Sequence, residues 1–383
     1  MKKSTVSRLG AIGVATALLT SACGASSSSD DGDSYKVGVA IALTGASATF
    51  GQAQQTTLEA RVDAINEAGG IDGKNIELII EDTKSDPTEA TRVAADLIQA
   101  EKVMVLIGGS TSSETLAFLP TAARRGVAVL SLGSNPAIVD PEAEWFGTTL
   151  MIPHTIINDN DAVIPRMIAD GVKSVGLISQ EDEVSAAGVK DFQARASESG
   201  DIRVLAAVTA ASTATDVSAQ ALRITRDDPD AIYMLANGAD LQGAILRAIR
   251  DAGYDGPIYA TAGVVQSAVI DVAGPAAEGT VSAALINPDD PSSRLKLQEL
   301  MQPLGGIKNH GNFNAAQAVA VLEAGLADAP TTGAEFVENV EKIGSIEGFA
   351  SAPLQYSATN HVGLGADGLI LVTVENGKFV TTQ

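Results

Sequence analysis

The chain has 383 residues, 45% of them hydrophobic, and its 47 acidic residues outnumber the 25 basic ones, giving a formal net charge of −22. Such a surface repels nucleic acid and anionic lipid, and no basic patch offsets it, so we exclude a nucleic-acid partner. The length beyond the N-terminal segment exceeds what a single hydrophobic core usually supports, which predicts two lobes.

The N-terminal segment, residues 1–22, has the layout of an export signal. Lys2, Lys3 and Arg8 precede an uncharged apolar run, which is too short to form a stable membrane-spanning helix. Cys23 follows the signal and is the only cysteine of the chain, so it has no disulfide partner. A lipidated thiol has a purpose in an exported protein, whereas a free thiol is a liability.

The residues directly before Cys23, Thr20-Ser21-Ala22, resemble the bacterial lipobox, with Thr20 where leucine is usual. The resemblance implies cleavage before Cys23, acylation of its thiol and a lipid anchor on the outer face of the cell membrane. An ordinary export signal with a chance cysteine is the alternative. Residues 23–34 contain no large apolar side chain and predict a flexible tether.

The first half of the remaining chain alternates strand and helix patterns. Four nearly continuous apolar runs predict parallel strands that are covered on both faces, at residues 35–43, 75–81, 103–108 and 127–132. Leu58, Val62 and Ile65 lie at helical spacing, and Gly69-Gly70 closes that helix. The next helix begins with Asp86 as N-cap, Pro87 at the first position and Glu89 reaching back to the cap.

A second alternating series follows. It predicts strands at 174–179, 204–209, 231–235 and 257–260, and helices at 158–170, 187–199, 216–227 and 241–252. Residues 291–343 are mostly helical, and 369–374 with 378–381 form a hairpin around Asn376-Gly377. Two such series in succession predict an α/β protein with two doubly wound, three-layer lobes.

The motifs of common enzyme classes are absent from the sequence. There is no G-x-x-x-x-G-K-[ST] loop, no G-x-S-x-G elbow and no H-E-x-x-H pair, and no G-x-G-x-x-G follows the first strand. His154, His310 and His361 are too dispersed for a local metal motif. We therefore expect a binding protein without cofactor or metal, and an enzyme without recognisable motifs is the alternative.

Small polar residues follow three of the predicted strands, at 44–51, 108–115 and 133–136, where open α/β lobes bind ligands. In the second segment, Thr111 and Glu114 fit a capping box, and Ser112 and Ser113 occupy the first helical turn. Their amides and hydroxyls, with the helix dipole, would make a carboxylate cradle. The alternative is that these residues, with Ser110, only cap the helix.

Phe50 follows the small residues of the first segment. An exposed aromatic ring there walls a ligand pocket or, equally, staples the helix that begins near Gly51. The sequence leaves both roles open.

Five segments carry a family resemblance, at residues 36–45, 50–52, 65–73, 81–82 with 86–87, and 107–113. Together they resemble the substrate-binding proteins of ABC transporters for branched-chain amino acids, amides and related small acids. The resemblance implies a type I periplasmic-binding fold with a three-crossing hinge, a monomer, and delivery of a small-molecule ligand to an ABC permease. The implied lobes are 35–150 with 286–352, and 151–285 with 353–383. A receptor that signals to a membrane partner is the alternative.

The resemblance also implies site residues. In the amino-acid binders, residues matching Ser112 and the backbone at Gly133 hold the ligand carboxylate, Asn135 assists beside Ser134, and Phe50 walls the pocket. The second lobe departs from the pattern: Ala262 replaces the acid that binds the ammonium, and Val184 and Asn237 lie near tyrosine positions. Desolvating an ammonium group in a closed cleft without an anion is unfavourable, so we predict a carboxylate or amide ligand without an α-ammonium.

Overall fold

A five-stranded parallel sheet, in the order β2-β1-β3-β4-β5, organises the first half of the computed structural model, which describes residues 34–287, 289, 295–350 and 352–382. Its strands are β1 (Ser34–Ile41), β2 (Asn75–Asp82), β3 (Val105–Gly108), β4 (Ala128–Ser131) and β5 (Thr149–Met151). The connecting helices are α1 (Ala48–Glu67), α2 (Pro87–Gln99) and α3 (Ser112–Arg124).

Both faces of this sheet are buried, as the continuous apolar runs predict. Val37, Val39 and Ile41 pack with Leu58 and Val62 of α1 on one face. Ala40 and Leu106 point to the other face, into a cluster formed with α2 and α3. Alternate residues of one strand thus enter two separate cores, which is the doubly wound arrangement.

A seven-stranded sheet, in the order β14-β13-β10-β9-β8-β6-β7, organises the second lobe. Its parallel strands are β6 (Ser174–Gln180), β7 (Arg203–Ala210), β8 (Ala231–Leu235), β9 (Ile258–Ala260) and β10 (Val281–Ala284). The helices are α4 (Ile156–Ala169), α5 (Glu183–Ser199), α6 (Ser218–Thr225), α7 (Ala239–Asp251) and α8 (Ser267–Ala273).

After β10 the chain returns to the first sheet and then crosses back. The helices α9 (Leu295–Met301), α10 (His310–Leu326) and α11 (Gly333–Ile343) contribute to the core of the five-stranded sheet. A short pair, β11 (Ser345–Ile346) with β12 (Leu354–Gln355), precedes the hairpin of β13 (Ile370–Glu375) and β14 (Lys378–Thr382). The chain therefore passes between the sheets three times, and the predicted two-lobed, three-crossing fold is confirmed.

The last crossing lies further along the chain than the predicted boundary at 352/353. Leu354, Tyr356 and Leu364 are buried in the core of the five-stranded sheet, and the Met151 amide donates to the His361 carbonyl at 2.8 Å. We therefore propose that the first lobe continues to about residue 364. The other two lobe boundaries, at 150/151 and 285/286, stay predictions, although β5 of the first sheet extends to Met151.

Local predictions have mixed outcomes. Asp86 accepts the Glu89 amide and Pro87 begins α2, as predicted, but the Glu89 side chain does not reach back to the cap. It pairs with Lys84 and Arg92 instead, because two cations beside it are better partners than one amide. The hairpin turn is confirmed, with φ of 54° at Asn376 and 71° at Gly377. Among the described helices, none combines the length and apolarity needed to cross a membrane.

Candidate functional site

The carboxyl ends of β1, β3, β4 and β5 lie side by side along one edge of the first sheet. The segments that follow them carry the polar residues that the sequence singled out, and they face the edge at which doubly wound lobes bind ligands. Helix α3 also approaches α5 of the second lobe, with Cα atoms within 8 Å. This edge and the facing loops of the second lobe are called the cleft below.

The start of α3 is fixed by a capping box. Thr111 Oγ1 accepts the Glu114 amide at 3.3 Å, while Glu114 Oε2 accepts the Thr111 amide and hydroxyl at 2.8 Å each. The hydroxyl of Thr83 donates to the other oxygen of the fully buried Glu114 carboxylate. Thr111 is therefore committed to the helix cap, which confirms the predicted capping box and orients the residues after it.

Ser112 is held so that one donor remains available. Its Oγ accepts the amides of Ser134 and Asn135 at 3.1 Å each, so the hydroxyl proton must point elsewhere. The backbone amides of Ser112 and Ser113 are the first two of α3, and neither has an acceptor among the residues that the structure describes. One hydroxyl and two amides at a helix N-terminus form a site that suits an anion.

Gly133 packs directly on Ser112. A Cβ at Gly133 would lie 2.8 Å from the Cα of Ser112 and 3.0 Å from its Oγ, so only glycine fits there. The Gly133 amide donates to Ser131 Oγ at 3.1 Å, and its carbonyl accepts from the same hydroxyl at 3.2 Å. The backbone of Gly133 therefore holds the loop in place and offers no free amide.

Asn135 divides its side chain between two roles. Oδ1 accepts the Ala137 amide at 2.9 Å and caps a short 3-10 turn, while Nδ2 has no acceptor within the described part of the chain. The side chain is nearly buried, so this amide group is a second donor close to Ser112.

Ser110 is engaged in the framework. Its hydroxyl donates to Gln54 Oε1 at 2.6 Å and accepts the Ala42 amide at 2.9 Å. These bonds tie the ends of β1 and β3 to α1 and leave Ser110 little capacity for a ligand. The serine thus has a structural role that the sequence alone did not suggest.

Phe50 and His310 form an aromatic pair at the start of α1 and α10. Their ring centroids are 4.7 Å apart with an interplanar angle of 37°. Burial and the nearby His154 lower the pKa of His310 to about 4, so this ring is neutral near pH 7. Both rings are only partly buried, and Phe50 lies in the first turn of α1, which begins at Ala48 and not near Gly51.

The loops of the second lobe bring Asn237 and Ala262 together. The Asn237 amide donates to Gln180 Oε1 at 2.9 Å, and its Oδ1 lies against Gly263, where a Cβ would be 2.3 Å away. Ala262 begins a 3-10 turn after β9. Val184 lies in the first turn of α5 and packs against the core of the second lobe.

A buried histidine–aspartate pair at the start of α4 was missed by sequence reasoning. Asp159 Oδ1 accepts the Ala262 amide at 3.0 Å, and its Oδ2 is 3.2 Å from His154 Nε2. Asp159 is 3% exposed and His154 is 9% exposed. An anion therefore lies beside Ala262 after all, supplied by a residue 103 positions earlier in the chain. The position of His154 just after a strand of the first sheet was the one available signal.

Two further predictions from the sequence concern the lipid anchor and the absence of a metal site. Cys23 lies outside the described residues. Within the described ranges, no three His, Cys, Asp or Glu side chains are arranged to hold a metal ion.

The chain is similar to known periplasmic binding proteins. A family model described as periplasmic binding protein matches residues 34–378. The Leu/Ile/Val-binding protein homolog 1 of Brucella suis is 25% identical over 64% of the chain, and the match spans 65% of that relative's length. A Leu-, Ile-, Val-, Thr- and Ala-binding protein of Pseudomonas aeruginosa is 26% identical over 74% of the chain and 73% of its own. These relatives are solute-binding proteins, not enzymes.

A solved structure shows the same fold. The extracellular ligand-binding receptor of Rhodopseudomonas palustris HaA2 is 27% identical, covers 92% of this chain and 100% of its own, and superposes with a TM-score of 0.78.

Proposed function

Because the chain belongs to the periplasmic binding protein family, an extracytoplasmic family of the Leu/Ile/Val-binding type, we propose that it is the solute-binding component of an ABC importer. It binds a small ligand that carries a carboxylate or an amide in the cleft between its lobes, and the lobes close on that ligand before delivery to a permease. The ligand class covers amino-acid-like, aromatic and other small organic acids.

The observation that carries this proposal is the donor group at the start of α3. The Ser112 hydroxyl and the amides of Ser112 and Ser113 have no acceptor among the described residues, and Asn135 Nδ2 adds a further donor. Donors without protein acceptors at a helix N-terminus favour a carboxylate or a carbonyl oxygen. Gly133, Ser131 and Ser110 support this group through the bonds that hold the loops in place.

The electrostatics of the cleft also favour an acid. Besides α3, the helices α4 and α10 begin next to His154 and at His310, and these two histidines lie close enough together for His154 to lower the pKa of His310. The names of the relatives state amino-acid ligands, and Asp159 supplies an anion where Ala262 has none. The absence of an acid at Ala262 is therefore weaker support for a ligand without an ammonium than the sequence alone indicated.

The proposal includes membrane attachment through Cys23. A lipid on this residue would hold the receptor at the outer face of the cell membrane, and the tether of residues 24–34 would let it reach a permease.

The test is to identify the solute that co-purifies with the full-length protein by mass spectrometry, and to titrate it back calorimetrically after its removal. Ser112→Ala should weaken binding by about 1–2 kcal/mol, roughly five- to thirtyfold in Kd, because a hydrogen bond to a charged group is lost. Ser218→Ala is the matched control: Ser218 is also the first residue of a helix, α6, but it is exposed and belongs to the second lobe.

If Ser112→Ala binds the solute as tightly as the unmodified chain, Ser112 only begins a helix and does not bind the ligand carboxylate. If no small solute co-purifies or raises the melting temperature in a screen of acids and amides, the solute-binding role itself fails, because a tight ligand must stabilise the folded state by mass action.

A further inference from the structure

One ring nitrogen of the buried His154 has no hydrogen-bond partner within the described part of the chain. His154 is 9% exposed, and its Nε2 faces Asp159 Oδ2 at 3.2 Å. Its Nδ1 is buried and makes no hydrogen bond to any residue that the structure describes. A buried polar atom without a partner costs about 1–3 kcal/mol, so its occurrence in a folded protein calls for a physical explanation.

Asp159 determines which nitrogen of the His154 ring stays available. The carboxylate lies in the first turn of α4, where the helix dipole favours its negative charge, and it accepts the Ala262 amide at 3.0 Å. An ionised carboxylate can only accept, so Nε2 of His154 carries the proton that joins them. The orientation of the ring is thereby fixed, and Nδ1 is the nitrogen that can bind a ligand.

His154 follows a strand that is adjacent to the strand preceding Gly133 and Asn135. It follows β5, the neighbour of β4, and the Ile152 amide donates to the Ser131 carbonyl at 3.0 Å. The two chains are therefore one strand spacing, about 4.8 Å, apart where they leave the sheet, and the segments of Gly133 to Asn135 and of His154 continue from there. Through Asp159 and Ala262 the histidine also touches the second lobe, so it lies where the two lobes meet.

We propose that His154 is a ligand-binding residue whose Nδ1 bonds an oxygen of the solute, with Asp159 as the residue that positions the ring. The inference rests on the proposed solute-binding function. It narrows the cargo to a small carboxylic acid that carries a hydroxyl or carbonyl oxygen next to the carboxylate. Nδ1 accepts from a hydroxyl when the ring is neutral and donates to a carbonyl when it is charged.

An α-ammonium fits this position less well than an oxygen. The charge of Asp159 is already engaged by His154 and by the Ala262 amide, so an ammonium would meet the imidazole and not the carboxylate. The beginnings of α4 and α10 add positive dipole ends beside it, and His310 contributes a neutral ring. A desolvated cation without its own anion is unfavourable.

Two series of compounds that differ only at the α-carbon test the proposal by calorimetry on the full-length protein. One series is 4-methylpentanoate, its 2-hydroxy and 2-oxo derivatives, and leucine; the other is propionate, lactate, pyruvate and alanine. In the series that fits the cleft, the hydroxy or oxo acid should bind at least tenfold tighter than both the unsubstituted acid and the amino acid. Equal or tighter binding of the amino acid would overturn the proposal.

Two substitutions distinguish the roles of the two ring nitrogens of His154. His154→Gln places an amide near the position of Nε2, which keeps a bond to Asp159 but empties the position of Nδ1. It should lose at least tenfold in affinity for the hydroxy or oxo acid and nothing for the unsubstituted acid. His154→Asn places its amide near the position of Nδ1 and should retain most of the affinity.

His361→Gln is the matched control. The His361 ring is also buried, but both of its nitrogens are engaged, by the Thr149 carbonyl at 2.8 Å and by Glu341 at 2.9 Å. This variant should lower the melting temperature and leave the order of ligand affinities unchanged.

The outcomes distinguish this inference from the function on which it rests. Binding that is weakened by Ser112→Ala but indifferent to His154→Gln leaves the solute-binding function in place and refutes the role of His154. The absence of binding in both series, with no solute co-purifying, overturns both.

Discussion

Gly133→Ala probes the packing that positions Ser112. The added Cβ would lie 2.8 Å from the Cα of Ser112, closer than real Cβ atoms come, and 3.0 Å from its backbone nitrogen and Oγ, which is tighter than most real contacts. Because two of these atoms belong to the backbone, the strain cannot be relieved by rotating a side chain. Either the segment after β4 or the first turn of α3 must move.

The cost of this movement follows from the contacts that break. Overpacking a well-packed site costs about 1–3 kcal/mol of folding stability. A shift of a few tenths of an ångström also disturbs the two 3.1 Å bonds from the amides of Ser134 and Asn135 to Ser112 Oγ, so the hydroxyl loses its orientation. We expect the free energy of unfolding to fall by about 1–3 kcal/mol and ligand affinity to fall at least tenfold.

Urea unfolding and calorimetric titration of the co-purifying solute measure the two effects. Gly147→Ala is the control, because Gly147 lies in the same lobe, has ordinary backbone angles, and has no atom within 4 Å of an added Cβ. That substitution should be neutral or slightly stabilising. If Gly133→Ala leaves both stability and affinity at their original values, Ser112 is not held by Gly133 and the geometry of the cradle is wrong.

Two further predictions concern acid stability and attachment. Burial and His154 lower the pKa of His310 from 6.5 to about 4, so the unfolded chain takes up a proton before the folded one and stability should decline as the pH falls from 6.5 towards 4. Urea unfolding at pH 7.5 and 4.5 should show a smaller decline for His310→Gln, and an equal decline would contradict the assignment. Cys23→Ser should move the protein from the membrane fraction to the soluble extracytoplasmic fraction, whereas continued retention would count against a lipid on Cys23.

The regular elements followed from the sequence where local signals were strong. The apolar run at 231–235 and the asparagine–glycine turn at 376–377 agree with the structure because burial on both faces and positive φ leave distinct residue patterns. The strands β5 and β10 were not predicted, because β5 has only three residues and the β10 sequence, Val-Ser-Ala-Ala, contains one large apolar side chain, so neither forms the continuous apolar run that marks β3 and β4. Neighbouring strands, not their own sequence, select their conformation.

The candidate site was only partly accessible from sequence. The serines at the start of α3 were found because a capping box joins residues three apart, a spacing that a single sequence displays. Ser110 was grouped with them because the sequence cannot show that its hydroxyl is already engaged by Gln54 and Ala42. The pairing of Asp159 with Ala262 depends on the docking of α4 against the loop after β9, and no local pattern records that contact.

The choice between an amino acid and an oxygen-bearing acid turns on this last contact. Judged from sequence, the cleft had no anion near Ala262, and that absence argued against an ammonium. The structure supplies the anion in Asp159 and shows it already joined to His154. The net charge of the His154–Asp159 pair therefore depends on the protonation of the imidazole. The affinity ratio of leucine to its 2-oxo analogue shows whether the ligand contacts His154 or Asp159. A ratio well below one, abolished by His154→Gln, would attribute the discrimination to the ring and not to the shape of the surrounding loops.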